Sequence, residues 1–118
     1  MKWYVVKNLH WKSKFEIQVI KRGWGNGYVA VHPSHVLYKK DYDNVFYLLE
    51  DTKYQISVHG GLTYSDFGDG DNVPKDWWVF GFDTAHFGDT IENWPKEAVE
   101  AETKKLFCQL LDIELGEL

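Results

Sequence analysis

The chain predicts an α+β fold: a mostly antiparallel sheet with an N-terminal β-hairpin and a C-terminal amphipathic helix packed on it. Three observations predict it. Lys14–Lys21 and Tyr54–Val58 alternate apolar and polar residues, the two-residue period of a half-buried strand. Trp77–Phe82 is almost continuously apolar and aromatic, as a strand buried on both faces should be. From Trp94 onward the period lengthens to that of a helix. At 118 residues the chain fits one domain, 1–118.

In chain order, Trp3–Val6 is a short strand, and Lys14–Lys21 is a strand with Phe15, Ile17 and Val19 on one face. Gly23-Trp24-Gly25-Asn26-Gly27 follows, then the strand Tyr28–Val31. Asn-Gly between two apolar runs signals a tight hairpin turn, since both central residues need positive φ. The spacing G-x-G-x-G puts Tyr28 where a dinucleotide fingerprint needs its third glycine, so that reading fails. His32–Asn44 reads as loop, and Val45–Leu49 as a short strand or turn. Tyr54–Val58 should be a strand ending at His59, and Ser65–Asp76 a polar Gly/Asp-rich loop. Trp94-Pro95 opens the helix, with Pro where its missing N–H costs nothing. Glu97, Glu100 and Glu102 suit the helix dipole, and Val99, Leu106, Leu110 and Ile113 form one stripe flanked by Phe107 and Leu111.

Composition removes several classes. Hydrophobic residues at 44% exclude a disordered chain, and no run approaches the roughly 20 apolar residues of a membrane span. No signal-peptide apolar core follows Met1, and the lone Cys108 has no internal disulfide partner. A cytoplasmic protein with no membrane partner is expected. The net charge of −5 divides unevenly: residues 1–40 hold eight Lys/Arg against Glu16 alone (+7), and residues 41–118 hold five against seventeen acids (−12). The basic residues are scattered rather than packed in a block, which favours charge pairing within one domain. The acidic half disfavours nucleic acid.

The chemistry concentrates in two segments, Val58–Ser65 and Phe80–Asp89, where apolar strands break into glycine beside His, Asp, Ser and Thr. Asp83, His86 and Asp89 recur every three residues and share a face if the chain turns helically there. His59 joins them if its strand neighbours Trp77–Phe82. Two His and two carboxylates suit a divalent metal such as Zn²⁺, Mn²⁺ or Fe²⁺, making His59, Asp83, His86 and Asp89 candidate ligands. The same groups serve as acid–base catalysts, with His59, His86 and Asp83 the candidates and Asp83 orienting an imidazole. In the bland alternative the histidines bond to turn backbone and the acids cap turns. Gly60 and Gly61, with Thr63 and Ser65, offer N–H groups and hydroxyls to an anion. His35, Tyr38 and Tyr42 could line the opposite wall. Asp66, Asp69, Asp71 and Asn72 do not make a calcium loop, because Val73 and Phe80 fall where carboxylates are required. His32-Pro33-Ser34 is a single H-x-S, half of the signature a two-histidine phosphoesterase needs. Six Trp, seven Tyr and seven Phe are mostly core, with Trp24, Trp77 and Trp78 as candidates to stack on a base.

On these residues the chain resembles a widespread family of small uncharacterised phage and prophage proteins. The matching stretches are Gly27-Tyr28-Val29, His35 with Tyr38 and Tyr42, His59-Gly-Gly-Leu-Thr-Tyr-Ser65, and Trp77 to Asp89, the last corresponding to a Trp-Trp-Phe-Gly-Phe-Asp-x-Ala-His-x-Gly-Asp pattern. Val79 is inserted after the tryptophan pair, Val36 replaces a Pro, and Thr84 stands where Cys is frequent. The resemblance implies an accessory protein of a phage acting in the host cytoplasm as an antagonist of host defence. The leading expectation is a small anionic, nucleotide-like ligand held by His59, Gly60, Gly61, Thr63, Ser65, Asp83, His86 and Asp89, with His35 and Tyr38 nearby. A metal-dependent hydrolase using His59, Asp83, His86 and Asp89 is the alternative. A third reading is an inhibitor binding a host defence protein through an acidic or aromatic surface.

Overall fold

The computed structural model describes residues 4–10, 22–71 and 73–116. Its elements are β1 (Tyr4–His10), β2 (Gly25–Val31), α1 (Tyr42–Leu49), β3 (Tyr64–Phe67), β4 (Trp78–Phe82) and α2 (Lys96–Gly116). The strands form one antiparallel sheet in the order β1-β2-β4-β3. This is the expected α+β architecture.

β4 lies between β2 and β3, and all five of its residues are buried. That is why its sequence is continuously apolar rather than alternating. On one face Val29, Val31, Phe80 and Phe82 pack against Val99, Leu106, Leu110 and Ile113 of α2. The predicted helical stripe is thus the core-facing stripe, and all four of its members are fully buried. Thr103 extends the stripe, and its hydroxyl donates to Val99 O at 2.7 Å, so the buried polar group is satisfied within the helix. Val99 N–H donates to Pro95 O at 3.1 Å, which places the proline where the first helical bond begins. The other sheet face carries Ala30 and Val79 under Val73, with Tyr28 and Trp77 beside them.

β1 and β2 form an N-terminal antiparallel pair, and Asn26-Gly27, expected as a hairpin turn, is not a turn. Asn26 and Gly27 lie inside β2, opposite Leu9 and Asn8. Neither has the positive φ of a tight hairpin turn. Gly27 serves a different purpose: an added Cβ would collide with Thr103 and Phe82, so glycine lets α2 pass close over β2. The predicted strand Lys14–Lys21 lies outside the described residues.

Three further expectations are corrected. Val45–Leu49 belongs to helix α1, because Val45 and Leu49, four apart, are its buried pair. Tyr54–Val58 is extended and buries Tyr54, Ile56 and Val58 in alternation, yet it joins no ladder. The Gln109 side chain takes a strand's place there, donating to Ser57 O and accepting from Ser57 N–H, each at 3.0 Å. Ser65–Phe67, assigned to a polar loop, belongs to β3.

Candidate functional site

His59 sits in a tight turn. Gly61 N–H donates to Val58 O at 2.9 Å, and Gly60 holds φ +69° at the third position, the geometry of a type II turn. The His59 backbone N–H donates to Glu102 Oε2 of α2 at 2.7 Å. Its ring stacks on Trp94, with centroids 4.1 Å apart and planes tilted by 32°. The imidazole is thereby held from the backbone and from one face, and its Nε2 lies 2.8 Å from Asp89 Oδ1. Since an ionised carboxylate only accepts, Nε2 carries the proton in this pairing.

Asp89 is organised by a second turn. Asp89 N–H donates to His86 O at 2.9 Å, and His86 N–H donates to Asp89 Oδ2 at 2.8 Å. Gly88 takes φ +91° within this turn. Both carboxylate oxygens are therefore engaged, one by backbone and one by His59, and the residue is only 4% exposed. The Phe87 side chain projects fully into solvent from the same turn.

His86 completes the cluster. Its ring lies edge-on to His59 at 5.3 Å and against the Cα of Gly60, where any Cβ would strike Nε2. Asp83 Oδ1 is 3.2 Å from His86 Nε2, near enough for charge attraction but off the ring's donor direction. The buried Nε2 is consequently left without a hydrogen bond. Asp83 Oδ1 instead accepts from Ala85 N–H at 3.0 Å. One ligand atom from each of His59, His86 and Asp89 lies within 4.8 Å of the other two. Asp83, expected as a fourth member, borders this set beside His86.

Thr84 fixes the base of the loop. It is fully buried, and its hydroxyl donates to Gly25 O at 2.7 Å while its carbonyl accepts from Gly23 N–H at 2.6 Å. A groove of about 700 Å³ runs between α1 and the Tyr54–Ser57 segment, lined by Tyr42, Phe46, Leu49, Ile56 and Leu62 together with Asp43, Glu50 and Lys53. It reaches the His59 turn only at Gly61, and the His/Asp groups do not line it.

The other expected site residues are occupied elsewhere. Gly61 N–H closes the turn, Thr63 N–H donates to Gly81 O at 2.9 Å, and Ser65 Oγ accepts from Tyr42 N–H at 3.0 Å, capping α1. These three groups are bonded within the fold. His35 is a core histidine: Nδ1 accepts from Leu37 N–H at 3.0 Å and Nε2 lies 2.9 Å from Leu110 O, to which it donates. Leu110 is eight residues along α2 from Glu102, about 12 Å at 1.5 Å per residue, so His35 does not join the cluster. Burial lowers the His35 pKa below its ordinary value and outweighs the opposing pull of Leu110 O and Glu114. Tyr38 donates to Asp76 O before β4 begins, whereas Asp83 follows β4's end. Four strand steps, about 13 Å, separate the ends of β4.

No family model, curated protein or solved structure matches the chain. The geometry of the cluster is therefore the ground on which function is argued.

That geometry favours a cation over a bare anion. Asp83 and Asp89 surround the two imidazoles, and Glu102 holds the His59 backbone from behind. Lys105 Nζ, 3.8 Å from Glu102 Oε1, offsets only the outermost of these carboxylates. Sequence reasoning missed Glu102 and Trp94 as partners of His59, and paired Asp83 with His86 where the well-formed pair is Asp89 with His59. Position along α2 gave Glu102 no distinguishing mark, because a helix-dipole acid and a turn anchor look alike in sequence.

Proposed function

We propose that the protein binds a divalent transition metal through His59, His86 and Asp89, and that metal-assisted hydrolysis is the reaction of this centre. The observation that carries the reading is the convergence of two imidazoles and a buried carboxylate within 4.8 Å. Two nitrogens and one oxygen are a donor set for Zn²⁺, Mn²⁺ or Fe²⁺. An ion held by these three residues would supply Lewis-acid chemistry to a bound substrate or water. Asp83, beside His86 and partly exposed, would serve this site as a general base. An anionic ligand, unwelcome among bare carboxylates, becomes acceptable once the ion is in place. The resemblance to phage accessory proteins supports a role against host defence.

The test is a titration of chelator-treated protein with Zn²⁺, Mn²⁺ and Fe²⁺, followed by assays on phosphomonoester, phosphodiester and carboxylic ester model substrates. One ion per chain and metal-dependent turnover are expected. Absence of saturable binding with all three ions refutes the centre, and binding without turnover refutes the hydrolase.

A second reading has its own observation. Helix α1 exposes Phe46 at 71% and Tyr47 at 70%, an aromatic surface of the kind that marks protein contacts. On that reading, antagonism of a host protein survives Asp89→Ala and is lost in a Phe46→Glu, Tyr47→Glu double variant.

A further inference from the structure

A second buried polar atom without a hydrogen bond lies on β2. Besides His86 Nε2, Asn26 Oδ1 is buried and makes no hydrogen bond. Asn26 Nδ2 donates to the Tyr28 hydroxyl at 3.1 Å, so the amide is spent on one side and open on the other.

These residues share a face. Asn26 and Tyr28 are two apart on β2, and Tyr28 lies opposite Gly81, which in turn pairs with Tyr64. Tyr28 packs over Gly81, where a Cβ would strike its ring, and meets Tyr64 edge-on at 5.4 Å. Tyr64 stands on the outer strand and keeps 40% of its surface exposed. Asn26 and Asp83 are the next residues beyond the last paired rung, Gly27–Phe82. The Tyr28 hydroxyl pKa is raised by burial, against the lowering effect of the Asn26 hydrogen bond, with a smaller rise from the charge of Asp83. Asp83 thus borders both this shelf and, at 3.2 Å, His86 of the metal centre.

The shelf offers a part-exposed aromatic ring, the part-exposed Asp83 carboxylate and, buried beside the Tyr28 hydroxyl, the unpartnered Asn26 amide oxygen. That combination takes a flat ring bearing N–H or NH₂ donors. The neighbouring metal takes an anionic oxygen. A nucleotide carries both groups on one molecule. We propose that Asn26, Tyr28, Tyr64 and Asp83 form a nucleobase-binding shelf, so that the metal centre and the shelf together hold a nucleotide by its phosphate and its base. This rests on the metal reading for the phosphate end, and on the unpartnered amide and the tyrosine pair for the base end.

The experiment is calorimetric titration of the full chain, with and without Mn²⁺, using the four ribonucleoside 5′-monophosphates and ribose 5-phosphate as the probe lacking a base. At least one nucleotide should bind about tenfold or more tightly than ribose 5-phosphate, the range of one base stacked on an aromatic ring. Asn26→Ala and Tyr64→Leu should each remove about tenfold of that preference while leaving Mn²⁺ affinity unchanged. Tyr64, partly exposed on an edge strand, keeps the test sound if Asn26→Ala unfolds. Equal binding of nucleotide and ribose 5-phosphate, or no binding of either beside normal Mn²⁺ uptake, overturns the shelf and leaves the metal centre standing. Base-selective binding without Mn²⁺ uptake supports the shelf and overturns the metal centre.

Discussion

His35 and His59 occupy the same fold, lie against the same helix and do opposite work. His35 is 4% exposed, and both ring nitrogens meet uncharged backbone partners, Leu37 N–H and Leu110 O. Its hydrogen-bonding capacity is used up, and burial holds it neutral. His59 meets a carboxylate through Nε2, stacks on Trp94, and stands beside a second imidazole whose buried Nε2 has no hydrogen bond. A histidine closed by backbone stiffens a core. A histidine paired with a carboxylate beside an unsatisfied imidazole is the arrangement on which the proposed metal centre rests.

The difference breaks most sharply at Asp89. Asp89→Ala removes one of the proposed metal donors and the partner of His59. Losing an outer partner of a metal ligand already costs about 10–100-fold in affinity, so losing a ligand should cost more than about 100-fold. Calorimetric Mn²⁺ or Zn²⁺ titration of the variant checks this, and full retention of affinity would show that the cluster binds no metal.

Gly60→Ala tests the centre without touching a donor. The added methyl meets His86 Nε2 on a backbone at φ +69°, where side chains are strained. Displacing the imidazole should weaken metal binding by about 10–100-fold. The strain should also cost about 1 kcal/mol or more of stability, read by urea unfolding.

His35→Ala should do the converse. Stranding Leu110 O and Leu37 N–H should destabilise the fold by about 1–3 kcal/mol, with metal affinity unchanged. Its pH signature has a definite sign. The folded pKa of His35 is depressed, so near pH 6 the unfolded chain binds more protons, and stability rises with pH. The contribution of neutral His35 is complete above about pH 6.5 and is lost as pH falls below it, at no more than about 1.4 kcal/mol per pH unit. In His35→Ala that part of the slope should vanish from unfolding free energies measured between about pH 5 and 7.

Ser65→Ala carries the smallest effect. Removing the hydroxyl that accepts from Tyr42 N–H should cost about 1 kcal/mol of stability. Metal titration of this variant should match the native protein, since Ser65 caps α1 and holds no ligand.

Legibility in the sequence followed the range of the interactions. The α2 stripe and the buried β4 could be read because a helical period and a continuous apolar run record burial directly. The convergence of His59 with His86 and Asp89 was anticipated on the condition that Tyr54–Val58 be a strand beside Trp77–Phe82; the residues converge, but Tyr54–Val58 joins no ladder and the two turns bring them together. Asn26-Gly27 misled because glycine answers two demands, positive φ and close approach, and here α2 imposes the second. Tyr54–Val58 misled because its alternation reports burial, while its backbone partner is the Gln109 side chain, remote in sequence. Ser65, Gly61 and His35 looked like ligand groups, and the chain uses them as a cap, a turn and a core bond. Such uses depend on which remote backbone groups need a partner, and local sequence does not encode that.

The most direct measurement is an anomalous difference map from a crystal of the native chain grown with Zn²⁺. The account predicts one ion per chain at about 2.0–2.2 Å from His59 Nε2, an imidazole nitrogen of His86 and a carboxylate oxygen of Asp89. A map with His59 Nε2 still bonded to Asp89 and no peak between His59 and His86 would contradict it.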